Sequence, residues 1–204
     1  MYMPQPGDCE IHVWDIDLDA VSDGAAVLSH DERMRAARFR FDVHRARFVA
    51  GRAALRTILA SYVGLAPAEI AFEYNRFGKP ELAGGTRLRF NASHSSGRQL
   101  IAIACGREVG VDLERVRADF AFEDIVRRFF PPEERAAVSD AESFFSTWTR
   151  REAFLKATGQ GLSGLRTAVP PSWTVANLDA GEGWAAAIAV KGGECRVIRR
   201  VFSI

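Results

Sequence analysis

Apolar and polar residues alternate from Ile11 to Leu18 (IHVWDIDL), the period of a half-buried strand. The pattern then turns helical. Ser29 stands as an N-cap before a helix over Asp31–Arg40, and a second helix runs from His44 to Val63 and stops near Gly64. Ile70–Tyr74, Arg87–Asn91, Gln99–Ala104 and Glu108–Glu114 read as strands, with a turn at Phe77-Gly78-Lys79-Pro80. Ala92–Arg98 is rich in serine and contains Gly97, which predicts a loop. Phe122–Phe130 is helical and stops at Pro131-Pro132, where Pro132 fits the first turn of the next helix. Ser143–Thr158 is a helix closed by Gly159. Trp173–Leu178, Trp184–Val190 and Cys195–Phe202 follow as strands between glycine-containing turns.

Two helical segments can be laid side by side. Arg47–Arg56 (RFVAGRAALR) and Thr147–Lys156 (TWTRREAFLK) match Phe48 to Trp148, Arg52 to Glu152, Leu55 to Leu155 and Arg56 to Lys156. Each helix precedes several strands. The pattern predicts an α+β fold of two similar halves, residues 1–105 and 106–204, with a cleft where they meet. The plain alternative is two ordinary amphipathic helices in chance register.

Composition narrows the classes. With 204 residues and 48% hydrophobic content, the chain has enough apolar material for a sizeable core. Its 27 basic and 26 acidic residues nearly cancel, which argues against a general polyanion binder and so against nucleic acid as partner. Three distant cysteines, Cys9, Cys105 and Cys195, form no CxxC and no zinc pattern. The chain starts without a signal-like segment and has no apolar run of the ~18 residues a membrane span needs, so a cytoplasmic location and no membrane partner are expected. Arginine outnumbers lysine 24 to 3, which makes each lysine worth locating.

Asp112 and Glu114 lie two apart in the strand GVDLE, so both carboxylates face one side. Two hard oxygen ligands suit Mg²⁺ better than zinc. The plain alternative is the polar side of an ordinary strand. Glu152 projects from within the apolar arc of Phe144, Phe145, Trp148 and Leu155, a costly place for a carboxylate unless a cation or hydrogen bonds compensate. Lys156 lies four residues on, and a simple i,i+4 ion pair would also account for it. Arg33–Arg56 holds eight arginines and one acid, Asp42, a charge pattern that fits phosphates or a solvated basic face. His94 sits among serines, but no G-x-S-x-G and no Walker loop occurs.

In order, FGKPEL (Phe77–Leu82), FNASHSSG (Phe90–Gly97), GVDLE (Gly110–Glu114), FFPPEE (Phe129–Glu134) and WTRREAFLKATGQGL (Trp148–Leu162) resemble the 4′-phosphopantetheinyl transferases of the Sfp-like branch. Arg151 stands where the family usually has Lys, and Ala92 where Leu is commoner; neither removes a chemical group. The resemblance implies transfer of the phosphopantetheine arm of coenzyme A to a serine of an acyl- or peptidyl-carrier protein, leaving adenosine 3′,5′-bisphosphate. It implies Mg²⁺ held by Asp112, Glu114 and Glu152, with Glu152 and Lys156 catalytic. It also implies coenzyme-binding roles for Lys79, Pro80, Ser93, His94, Arg33, Arg35 and Arg52. A monomer is expected. Rival readings are a non-catalytic coenzyme A or nucleotide-binding module, a Mg²⁺-dependent phosphoesterase, and nucleic-acid binding by the Arg-rich segment.

Overall fold

The computed structural model describes residues 2–22, 24–164 and 167–202. The first half comprises β1 (Glu10–Asp17), α1 (His30–Ala36), α2 (Asp42–Val63), β2 (Phe72–Tyr74), β3 (Pro80–Leu82), β4 (Leu88–Ser95) and β5 (Arg98–Cys105). The second comprises β6 (Val109–Arg115), α3 (Glu123–Phe129), α4 (Pro132–Arg135), α5 (Ala141–Thr158), β7 (Trp173–Leu178), β8 (Trp184–Lys191) and β9 (Arg196–Phe202). The helices begin and end as their caps dictate. Ser29 and Glu32 form a capping box on α1, Asp140 caps α5, and α2 and α5 end on left-handed Gly64 and Gly159.

The strands form a sheet in the order β4-β5-β1-β9, a second in the order β6-β8-β7, and a small β2-β3 hairpin. Strand alternation decides what each face meets. One face of the first sheet, with Ile16, Phe90, Ile101 and Ile103, packs under Ala54, Leu55, Ile58 and Leu59 of α2. Its other face, with Ile11, Val13, Leu100 and Ala102, packs on Val109, Val111, Leu113, Ile188 and Val190 of the second sheet. The far side of that sheet, Ala187 and Ala189, carries Ala153, Phe154 and Ala157 of α5. The result is the expected pair of α+β halves, one helix outside each sheet. Both aligned helices carry their charged pair in register: Arg52 and Arg56 on α2, Glu152 and Lys156 on α5.

Two sequence expectations change. The helix over Asp31–Arg40 is shorter, ending at Ala36. Ala92–Arg98 is not a loop. Strand β4 runs on through Ser95, Ser96 takes a positive φ of 53° in the turn, and β5 starts at Arg98. Ser93 and Ser95 are the polar face of a strand. Strand β9 returns to the first sheet and pairs in parallel with β1, with Glu10 opposite Arg196 and Ile16 opposite Phe202.

Candidate active site

The site grows from the meeting of β4 and β6. Asn91, Ser93 and Ser95 alternate along β4 and turn their side chains toward β6. There they accept hydrogen bonds from the backbone N–H groups of Val111 (2.9 Å), Leu113 (3.3 Å) and Arg115 (3.1 Å). The residues between those amides, Asp112 and Glu114, thereby gain a fixed register against the serines. Ser93 Oγ donates to Asp112 Oδ1 at 2.8 Å, and Ser95 Oγ donates to Glu114 Oε2 at 2.9 Å.

Helix α5 approaches the same strand because Gly110 has no side chain. A Cβ there would stand 2.1 Å from the Ala153 carbonyl oxygen and 2.4 Å from the Ala157 nitrogen. This close approach lays Lys156 over the carboxylates. Its Nζ donates to Asp112 Oδ1 at 2.5 Å and to Ser93 Oγ at 2.8 Å. Glu152 lies one turn earlier.

Asp112 is 2% exposed, yet its Oδ2 has no hydrogen-bond partner. A buried carboxylate oxygen without a donor is costly and needs a cation or donor from outside the chain. Glu114 and Glu152 feel the same crowding. Burial is the main cause that pushes Glu152 above the ordinary carboxylate range; the charges of Asp112 and Glu114 add to it, and Lys156 opposes them. Burial also leads for Glu114, with Asp112 adding and the Ser95 hydrogen bond and Lys156 opposing. A divalent cation would relieve both effects, so the donor set fits a hard metal ion. Among the described residues, no three His, Cys, Asp or Glu side chains already stand closed as a metal cage.

The other expected site residues occupy two tiers. His94, on β4, is exposed on the opposite strand face from Ser93. Loss of hydration is the main cause that lowers its imidazole, and the charges of Lys156 and Arg35 lower it further. His94, Arg35 and Lys156 thus share one electrostatic neighbourhood. Arg35 also lies over the Phe48 ring, 5.2 Å from its centroid. Arg33, exposed on α1, donates to the Leu28 carbonyl.

Lys79 and Arg52 stand behind this surface. Lys79 Nζ donates to the Ala157 carbonyl of α5 at 2.6 Å and to Glu108 at 3.0 Å, with its side chain 8% exposed. The ammonium therefore sits at the negative end of the helix that carries Glu152 and Lys156. Pro80 follows as the first residue of β3, paired with Tyr74. Arg52 Nε donates to Glu32 Oε1 and Arg56 Nε to Glu32 Oε2, each at 2.6 Å. Burial would raise Glu32, but the hydrogen bonds from Arg56 and Ser29 and the nearby Arg52 outweigh it, and its pKa is lowered.

Sequence reasoning missed Asn91, Ser95, Glu108 and Glu32. The period-two polar series Asn91, Ser93, Ser95 was the available signal for the first two. The S-x-x-E cap at Ser29–Glu32 was the signal for Glu32.

A sequence model of the 4′-phosphopantetheinyl transferase superfamily matches residues 108–195, and one of the 4′-phosphopantetheinyl transferase N-terminal region matches residues 12–106. The chain is 37% identical to the 4′-phosphopantetheinyl transferase HetI of a Nostoc species, over 94% of each chain. It belongs to the 4′-phosphopantetheinyl transferase superfamily. A 4′-phosphopantetheinyl transferase of Bacillus subtilis is 32% identical over 68% of this chain and 63% of its own. Another from that species, 4′-phosphopantetheinyl transferase Sfp, is 28% identical over 67% of this chain and 62% of its own. The boundary between the two superfamily matches falls at the β5–β6 turn. The carboxylate site of this transferase-family chain is therefore built across it, from β4 on one side and β6 and α5 on the other.

Proposed function

We propose that the chain transfers the 4′-phosphopantetheine arm of coenzyme A to a serine of an acyl- or peptidyl-carrier protein. The products are the holo carrier protein and adenosine 3′,5′-bisphosphate. Family membership supports the reaction, and the orphaned Oδ2 of the buried Asp112, whose other oxygen is held by Lys156 and whose charge reaches Glu114 and Glu152, is the observation that carries the site. A pure coenzyme-binding module would need the cationic surface but has no use for three clustered carboxylates. No helix among the described residues is long and apolar enough to cross a membrane.

Asp112, Glu114 and Glu152 would hold Mg²⁺. The bound ion would polarise the phosphoryl group and neutralise charge on the leaving side. Glu152, the only one of the three on a helix, faces the approaching carrier serine and accepts its proton. Lys156 steadies the pyrophosphate and the departing phosphate. His94 and Arg35, with Arg33, border the 3′-phosphate of the adenosine. Ser93 orients Asp112 beneath the pyrophosphate. Lys79 and Pro80 set the turn that braces the end of α5, and Arg52 holds α1 through Glu32 and so the position of Arg33 and Arg35.

The deciding experiment is mass spectrometry of apo carrier proteins after incubation with the chain, coenzyme A and Mg²⁺. A gain of one phosphopantetheine arm is expected. Coenzyme A cleavage without an acceptor would instead mark a phosphoesterase.

A further inference from the structure

Two cysteines lie away from the carboxylate site and next to each other. Cys9 directly precedes β1 and Cys195 directly precedes β9. These strands are parallel with Glu10 opposite Arg196, so one step outward sets Cys9 beside Cys195. The Arg196 N–H donates to the Cys9 carbonyl at 2.9 Å, so the backbones are still joined at that step. Strand neighbours lie about 4.8 Å apart, inside the ~4.4–6.8 Å Cα range of disulfides.

Cys195 shares the parity of Val197 and packs on the cluster of Ile11 and Val13, while Cys9 stands exposed in the turn that leads into β1. Cys105 pairs outward with Glu10 and so has the opposite parity; its thiol meets Gln5. One guanidinium fastens both cysteine-bearing segments. Arg107 donates to Cys195 Sγ, to the Asp8 carbonyl (3.4 Å), and to the carbonyls of Lys191 (2.7 Å) and Gly193 (2.6 Å). Burial is the main cause raising the Cys195 thiol; Arg107 opposes it and the Cys9 charge adds to it, which marks the two sulfurs as electrostatic neighbours.

We propose that Cys9 and Cys195 are an oxidisable dithiol that closes into a disulfide tying β1 to β9. The oxidant is a low-molecular-weight disulfide, RSSR. The exposed Cys9 thiolate attacks one sulfur, forming Cys9–S–S–R and releasing RS⁻. The Cys195 thiolate then attacks the Cys9 sulfur, forming the internal bond and releasing the second RS⁻. Each RS⁻ takes up the proton that a cysteine lost. The protein gives up two electrons and RSSR gains them.

Closure would fasten the one second-half strand that completes the first-half sheet. It would also join residues far apart in sequence, which restricts the unfolded chain. The test uses the full chain and oxidised glutathione. Thiol titration in denaturant is expected to fall from three to one, with an intact mass lower by two hydrogens and a cross-linked peptide holding Cys9 and Cys195. The melting temperature should rise by about 5 °C or more and return on reduction. Cys105→Ser should close in the same way, while Cys195→Ser should stop at a glutathione adduct on Cys9. In the unsubstituted chain, stable adducts on both cysteines, a link through Cys105, or three surviving thiols would each overturn the proposal.

Discussion

Asp112 is bound by Ser93 and Lys156 at one oxygen and unpartnered at the other. Its neighbour Glu152 is the residue assigned to take the serine proton. Glu152→Gln keeps the shape and removes the base, so transfer of labelled phosphopantetheine should fall by about 100-fold or more. The circular dichroism melt should stay close to the original. The raised carboxyls add a pH signature. Glu114 and Glu152 lie above their ordinary value of 4.5, so the folded chain keeps protons that the unfolded chain releases. The stability this confers is present below 4.5 and is lost as pH rises through the raised values. A cation needs the ionised forms. The gain in melting temperature on adding Mg²⁺ should therefore be larger at about pH 7.5 than at about pH 5, and Glu152→Gln should flatten that difference. An equal gain at both pH values would remove these carboxylates from metal binding.

At the scale of elements, α5 and β6 depend on a missing side chain. Gly110→Ala would drive a Cβ into the α5 backbone, which cannot yield as a flexible side chain would. A loss of about 3 kcal/mol is expected in urea unfolding. The serine and asparagine series on β4 separates structure from chemistry. Asn91→Ala leaves the buried Val111 N–H without its acceptor and should cost about 1–3 kcal/mol, with the Mg²⁺ concentration for half-maximal activity unchanged. Ser95→Ala frees Glu114 and should raise that concentration severalfold. Titration of activity against Mg²⁺ for both variants distinguishes the two roles. Much of α5 was legible beforehand. The apolar arc with Glu152 inside it, the glycine stop and the D-x-E strand all read correctly. The strand character of Ala92–Ser95 did not, because polar residues facing backbone amides of another strand look the same in sequence as polar residues facing water. The internal partners of Lys79 and Arg52 were hidden for a related reason. Their partners, Ala157 and Glu32, lie 78 and 20 residues away, and no local period encodes them.

At the scale of the molecule, the halves are joined three times. Their sheets share the apolar layer of Ile11, Leu100, Val111 and Ile188, β4 grips β6, and β9 returns to pair with β1. Unfolding should therefore be one cooperative transition. Fluorescence reporting on Trp14 in the first sheet and on Trp173 in the second should give coincident denaturation midpoints in single-tryptophan variants. Two separated midpoints would mean that the halves fold independently.

The β4 side chains have a consequence beyond catalysis. Among the described residues, strand β6 pairs through its backbone with β8 on one flank only. Left bare, the N–H groups of Val111, Leu113 and Arg115 on the other flank would form an open edge, a template for strand addition by a second chain. Asn91, Ser93 and Ser95 occupy those groups and close the edge with side chains instead of a ladder. The same three residues that set the register of the carboxylates thus protect the sheet from edge-to-edge aggregation.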